Sequence, residues 1–246
     1  MRQRPVLLVI AHGSRDPRHA ATVHALIRQV RSLRPGLRVE TSFLDFNIPS
    51  VHGVLKSLAA EGVRDVVALP LLLTRAFHAK ADIPAVLRDA PPQLRIRQTE
   101  VLGPSPLLLR ALERRLYEAG LTPADKSSTG VVLASAGSTD PEAIAVIAGI
   151  AREWRQTGWR AVLPAFASAS LPRTEDAVRD LRALGCQKVA VAQYVLAPGF
   201  LPDRIRRGAV EADVLGNVLG AAPEVATLIL KQVETAMLRL PLQSIA

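Results

Sequence analysis

Apolar residues in this chain follow two alternating rhythms. Residues 6–11 form an uninterrupted apolar run, the pattern of a strand covered on both faces. In residues 19–33, Val23, Leu26, Ile27, Val30 and Leu33 recur at helical spacing. Segment 38–44 has the composition of a strand. Segment 50–62 opens on Ser50 and stops at Gly62, which predicts a capped helix. The unbroken run 65–73 predicts a third buried strand. A helix around 82–89, a strand over 94–102 and a helix over 104–119 complete the series. Alternation of this kind predicts an α/β fold in which a parallel sheet is flanked by helices, with flavodoxin- or Rossmann-like topology.

The series then repeats. AHGSRDP at 11–17 matches SAGSTDP at 135–141, and SFLDFNIPS at 42–50 matches AFASASLPR at 165–173. SLAAEGVRDVVALPLLL at 57–73 matches DLRALGCQKVAVAQYVL at 180–196, and VLGPSP at 101–106 matches VLGAAP at 218–223. Four matches in order, nearly in register, predict two tandem homologous domains at 1–122 and 130–246. The polar, turn-rich residues 123–129 are the expected linker.

Composition narrows the class. Hydrophobic content of 49% with 22% charged residues predicts a folded globular protein. One cysteine, Cys186, excludes an internal disulfide framework and suggests a reducing compartment. The basic start followed by seven apolar residues is too short for a secretory signal, and His12 stands where small cleavage-site residues belong. A cytoplasmic location and no membrane span are therefore expected. The net charge of +9 is uneven: residues 1–123 carry 18 Lys and Arg against 10 Asp and Glu, whereas residues 124–246 carry 13 against 12. A basic half predicts an anionic partner. With 4% aromatics, no basic run and no nucleic-acid motif, a small polycarboxylate fits better than nucleic acid.

All five histidines fall in the first third of the chain. In an open parallel sheet the strand C-termini share one edge, and ligands bind outside it. His12 ends the first strand, Asp45 lies just past the second, and His78 lies in the loop after the third. Two imidazoles and a carboxylate converging on one rim suit a divalent transition metal or proton abstraction near neutral pH. The second copy acts as an internal control, with Ala136, Ser168 and Leu201 (or Phe200, with a one-residue slip) at those positions. Gly13 and Ser14 recur as Gly137 and Ser138, so their first role is the tight turn, with backbone amides that an anionic group can also use. Arg15 and Arg75 are replaced by Thr139 and Pro198 and are expected to contact ligand carboxylates. His19, His24 and His52 lie on helices and read as structural or solvated.

AHGSRDP, FLDFNIP and the series PLLL, His78, DIP resemble the sirohydrochlorin chelatases, the CbiX or SirB family, in the long form with two fused halves. The resemblance covers essentially the whole chain. It implies insertion of Fe²⁺ or Co²⁺, with Ni²⁺ as a third candidate, into sirohydrochlorin on the way to siroheme or cobalamin. The metal is then a substrate, and no organic cofactor is implied. The family's two active-site histidines map onto His12 and His78, the expected metal-delivery and proton-accepting groups. Its acidic residue, usually glutamate, maps onto Asp45, whose carboxylate is one methylene shorter. Gly13, Ser14, Arg15 and Arg75 are the expected substrate-binding residues. Two fused halves replace a pair of half-length chains, so a monomer is expected. A carrier that binds tetrapyrrole or metal without turnover uses the same groups and is the alternative. A histidine phosphatase is disfavoured, because Ala11 rather than arginine precedes His12.

Overall fold

A computed structural model describes residues 5–75 and 78–238, without the side chains of His78 and Ala79. The first half runs β1 (Val6–Ala11), α1 (Pro17–Leu33), β2 (Val39–Phe43), α2 (Val51–Ala60), β3 (Asp65–Pro70), α3 (Ile83–Arg88), β4 (Arg95–Gln98) and α4 (Pro106–Glu118). After a 3-10 turn at Pro123–Ser128 the second half runs β5 (Thr129–Ser135), α5 (Pro141–Arg155), β6 (Ala161–Phe166), α6 (Thr174–Ala183), β7 (Lys188–Tyr194), α7 (Phe200–Gly208), β8 (Val214–Leu215) and α8 (Pro223–Leu238). The strands form two four-stranded parallel sheets, ordered β2-β1-β3-β4 and β6-β5-β7-β8. The α/β architecture read from the alternating pattern is the one observed.

Local chemistry explains the boundaries. The Asp16 carboxylate accepts the Arg18 amide at the start of α1, and Asp140 accepts the Glu142 amide at the start of α5, each just before a proline. Ser50 and Ser105 cap α2 and α4 in the same way. In the first sheet Val6, Leu8 and Ile10 pack against Val54, Leu55 and Leu58 of α2, so alternation turns Leu7 and Val9 to the opposite face. In the second, Val132 and Ala134 pack with Ala177, Val178 and Leu181 of α6. A buried leucine or valine contributes about 1.5–3 kcal/mol, an exposed ion pair about 0–1 kcal/mol. The sheet faces therefore hold the fold, not surface pairs such as Arg38–Glu61.

Two elements differ from the sequence expectation. The third strand stops at Pro70 rather than at 73, and β4 covers only 95–98. Hydrogen bonds from Leu71 to the Ile10 carbonyl and from Leu102 to the Leu72 carbonyl turn these apolar ends into a cover over the strand edge. His78 does not lie in an open loop: its backbone starts a single π-helical turn, His78–Asp82, that leads into α3.

The compact units are not the two sequence repeats. One comprises the chain up to Leu102 together with everything from Val225 onward, and the other is Gly103–Glu224. Each half's last helix has thus changed places. In the first unit, Gln232 of α8 donates to the Val101 carbonyl, Arg97 donates to the Ala236 carbonyl, and Glu234 pairs with Arg34. In the second unit, Leu116 of α4 lies against Gly216, Arg115 donates to the Leu219 carbonyl, and Arg114 grips Glu224 through two bonds of 3.0 Å.

Candidate functional site

The rim of the first sheet is built by hydrogen bonds that extend the β1–β2 ladder past the strand ends. Leu44 donates to the Ala11 carbonyl at 3.0 Å, and Asp45 donates to the His12 carbonyl at 2.9 Å. These bonds set the two turns side by side and place His12 and Asp45 on one edge. Gly13 makes that approach possible. It has φ +94°, and a Cβ at this position would stand 1.9 Å from the Asp45 carbonyl oxygen. The Ser14 amide donates to Asn47 Oδ1 at 2.8 Å, and the Asp16 amide donates to Ser14 Oγ at 3.1 Å. Of the two amides expected to receive an anionic group, that of Ser14 is thus engaged within the turn.

His12 is half-buried, and its Nδ1 lies 3.1 Å from the Gly13 carbonyl. Only the tautomer protonated at Nδ1 makes this a hydrogen bond, which puts the basic lone pair on Nε2. Asp45 is exposed, and its carboxylate makes no hydrogen bond or ion pair with another described residue. It forms no hydrogen bond with the His12 imidazole. Arg15 is also exposed, and its guanidinium lies 5.2 Å from the centre of the Phe46 ring. Arg18 binds the Asp16 carboxylate through both oxygens and leaves that charge unavailable to Arg15. Asp16 is held below the usual carboxylate range by the same contact. Arg75 has no carboxylate partner among the described residues and lines a cavity of about 280 Å³ with Lys80, Gln98 and Thr99. The side chain of His78 lies outside the described residues. Among those that are described, no three His, Cys, Asp or Glu side chains are grouped closely enough to hold a metal ion.

The second rim repeats the scaffold. Gly137 has φ +92°, and a Cβ there would stand the same 1.9 Å from the Ser168 carbonyl oxygen. Ser168 donates to the Ala136 carbonyl, and Asp140 donates to Ser138 Oγ, both at 3.0 Å. Phe46 and Ala169 hold matching left-handed conformations, φ 62° and 59°. The backbone is thus shared, whereas Ala136, Thr139, Ser168 and Ala169 replace His12, Arg15, Asp45 and Phe46.

The CbiX family model matches residues 6–119 and, separately, 130–236. This chain belongs to the CbiX family. Among curated relatives, the sirohydrochlorin cobaltochelatase of Priestia megaterium is 31% identical over 206 residues, covering 81% of this chain and 66% of that protein. The chain thus spans just under two thirds of that relative's length. The sirohydrochlorin ferrochelatase of Bacillus subtilis is 26% identical over 244 residues, covering 95% of this chain and 92% of that one. The structure of SirB from Bacillus subtilis with Fe³⁺ aligns with a TM-score of 0.80 at 25% identity, covering 95% of this chain and 96% of that one.

Two features of this CbiX-family rim escape a reading of the sequence alone. Phe46 and Asn47 organise it, and the repeat alignment contains their signal in the Phe-to-Ala and Asn-to-Ser exchanges. His19, expected to be structural or solvated, sits close enough to His12 for their charges to oppose each other. Its Nδ1 is buried without a hydrogen-bond partner among the described residues. Burial first, and the His12 charge second, push the His19 pKa down. The unfolded chain therefore takes up this proton at a higher pH than the folded one. Stability is expected to be full above the ordinary imidazole value of about 6.5 and to decline as the pH falls through it. Urea unfolding at pH 7 and pH 5 checks this, and His19→Asn should flatten the difference.

Proposed function

We propose that the protein inserts a divalent metal, Fe²⁺ or Co²⁺, into sirohydrochlorin. The observation that carries the reading is the contrast between the two rims. Matching backbones bear an imidazole, a carboxylate and an arginine on one side, and Ala136, Ser168 and Thr139 on the other. A scaffold requirement would apply to both copies, so chemistry is the reason for the difference. The names of the relatives supply the reaction class.

Metal insertion requires loss of the pyrrole N–H protons as the ion enters the ring. His12, with its lone pair on Nε2, accepts a proton or hands over the metal, and His78 performs the complementary task. Asp45, bound to no cationic side chain among the described residues, supplies negative charge that attracts the incoming cation. Arg15 and Arg75 bind peripheral carboxylates of the substrate. Gly13 and Ser14 hold the turn that presents the imidazole. The excess positive charge of the first half serves this polycarboxylate rather than nucleic acid. The metal is a substrate, and no organic cofactor takes part. In this reading the protein is a cytoplasmic monomer.

The test is an anaerobic spectrophotometric assay of metal-free sirohydrochlorin with Fe²⁺, Co²⁺ and Ni²⁺. Catalytic appearance of a metallated spectrum supports the proposal, and the fastest ion names the physiological substrate. Stoichiometric binding without turnover would leave a carrier instead.

A further inference from the structure

Phe46 is an anomaly that the proposed chemistry does not explain. Its backbone has φ 62°, a conformation in which a bulky L-residue is disfavoured. The second copy builds the same turn with alanine at φ 59°, so the turn itself does not call for an aromatic ring. Nor does the core, because Phe46 is 58% exposed and its neighbour Ile48 is 88% exposed. Exposing apolar surface at a strained position opposes both solubility and stability. The ring is also not remote from the chemistry. Its centre lies 6.4 Å from that of the His12 imidazole, with the planes inclined by only 29°. Arg15 rests over the same ring at 5.2 Å.

We propose that Phe46 is a substrate-binding plate on which the flat conjugated macrocycle stacks, with Arg15 held on the ring to meet a peripheral carboxylate. This rests on the tetrapyrrole reading above and adds to it a residue and a mode of recognition. A planar, conjugated polycarboxylate presents two surfaces that water solvates very differently, an apolar face and a charged edge. An exposed aromatic ring answers the face, and a guanidinium without a carboxylate partner answers the edge. The pairing also keeps Arg15 from spreading over alternative rotamers, since cation–π contact holds it where the ring is. His12, whose plane is nearly aligned with the plate, then faces the same layer in which the macrocycle lies. Phe46 thus fixes the substrate's orientation, and His12 acts on it.

The test is binding of metal-free sirohydrochlorin, followed by its absorption spectrum, to wild type, Phe46→Ala, Phe46→Trp and His12→Ala, with insertion measured on each. Phe46→Ala is a variant whose turn this chain already builds at Ala169, so thermal unfolding should match wild type or exceed it. It is expected to weaken binding by about tenfold, with KM raised and kcat largely kept. Phe46→Trp should bind as wild type does, because the plate is preserved. His12→Ala should bind normally and insert little. If Phe46→Ala binds within about twofold of wild type while His12→Ala loses insertion, the plate is refuted and the chelatase reading stands. If wild type neither binds nor inserts, the chelatase reading falls and takes the plate with it.

Discussion

Replacing His12 by alanine is expected to slow metal insertion by about a hundred- to ten-thousand-fold, the range for loss of a positioned proton-transfer group, in a protein that folds normally. The second half already shows that the turn tolerates this change. Ala136 occupies the equivalent position, with the same glycine contact and the same ladder bond from the loop after the neighbouring strand. The imidazole is half-buried, and its Nδ1 bonds the carbonyl of the next residue. Insertion assayed under anaerobic conditions, with circular dichroism and thermal unfolding in parallel, checks the claim. Wild-type insertion by a folded His12→Ala protein would remove His12 from the reaction.

Gly13→Ala should do the opposite and attack the scaffold. A methyl group there meets the Asp45 carbonyl oxygen at 1.9 Å, far inside contact distance. The residue must also keep φ +94°, which costs a non-glycine residue about 1–3 kcal/mol. The neighbouring obstacle is backbone, tied by the Asp45–His12 hydrogen bond, so it does not move aside easily. A loss on the order of 3 kcal/mol is expected, lowering Tm by about 6–12 °C. Gly137→Ala meets the Ser168 carbonyl at the same distance and should destabilise to a similar degree. The two variants should differ in their effect on insertion at temperatures where both remain folded. Only Gly13→Ala displaces the His12 turn. Equal loss of insertion in both would argue that the second rim shares the chemistry.

Much of this was legible in the residues. The period of apolar positions located β1, α1, β2 and α2 closely, because each of these elements buries a contiguous face and stops at a residue with a clear reason to stop. Parallel topology then placed His12 and Asp45 on one rim without any coordinates. The helix exchange was not legible. Leu108, Ala111, Leu112 and Leu116 mark the buried face of α4, and Val225, Ala226, Ile229 and Val233 that of α8. Such a stripe identifies which side of a helix is covered, not which sheet covers it, and the sheets are homologous and similarly apolar. The end of β3 is hidden in the sequence for a related reason. Leu71 is buried as deeply as a strand residue, and its amide still bonds the Ile10 carbonyl, although the strand has ended at Pro70. Phe46 is not legible from the pattern, because an exposed aromatic in a loop carries no periodic signal. Its meaning depends on φ and on its distance from His12.

The exchanged helices also set an order of events during synthesis. All the elements of the second unit lie between Gly103 and Glu224, whereas the first unit needs the chain up to Leu102 and the segment beginning at Val225. Emerging from the ribosome, the earlier sheet is made first, but the α8 segment that packs with it follows only after the second unit's segment. The later sheet has all its parts before then. The half that bears the histidines therefore gains its α8 contacts only after the segment of the second unit has been made.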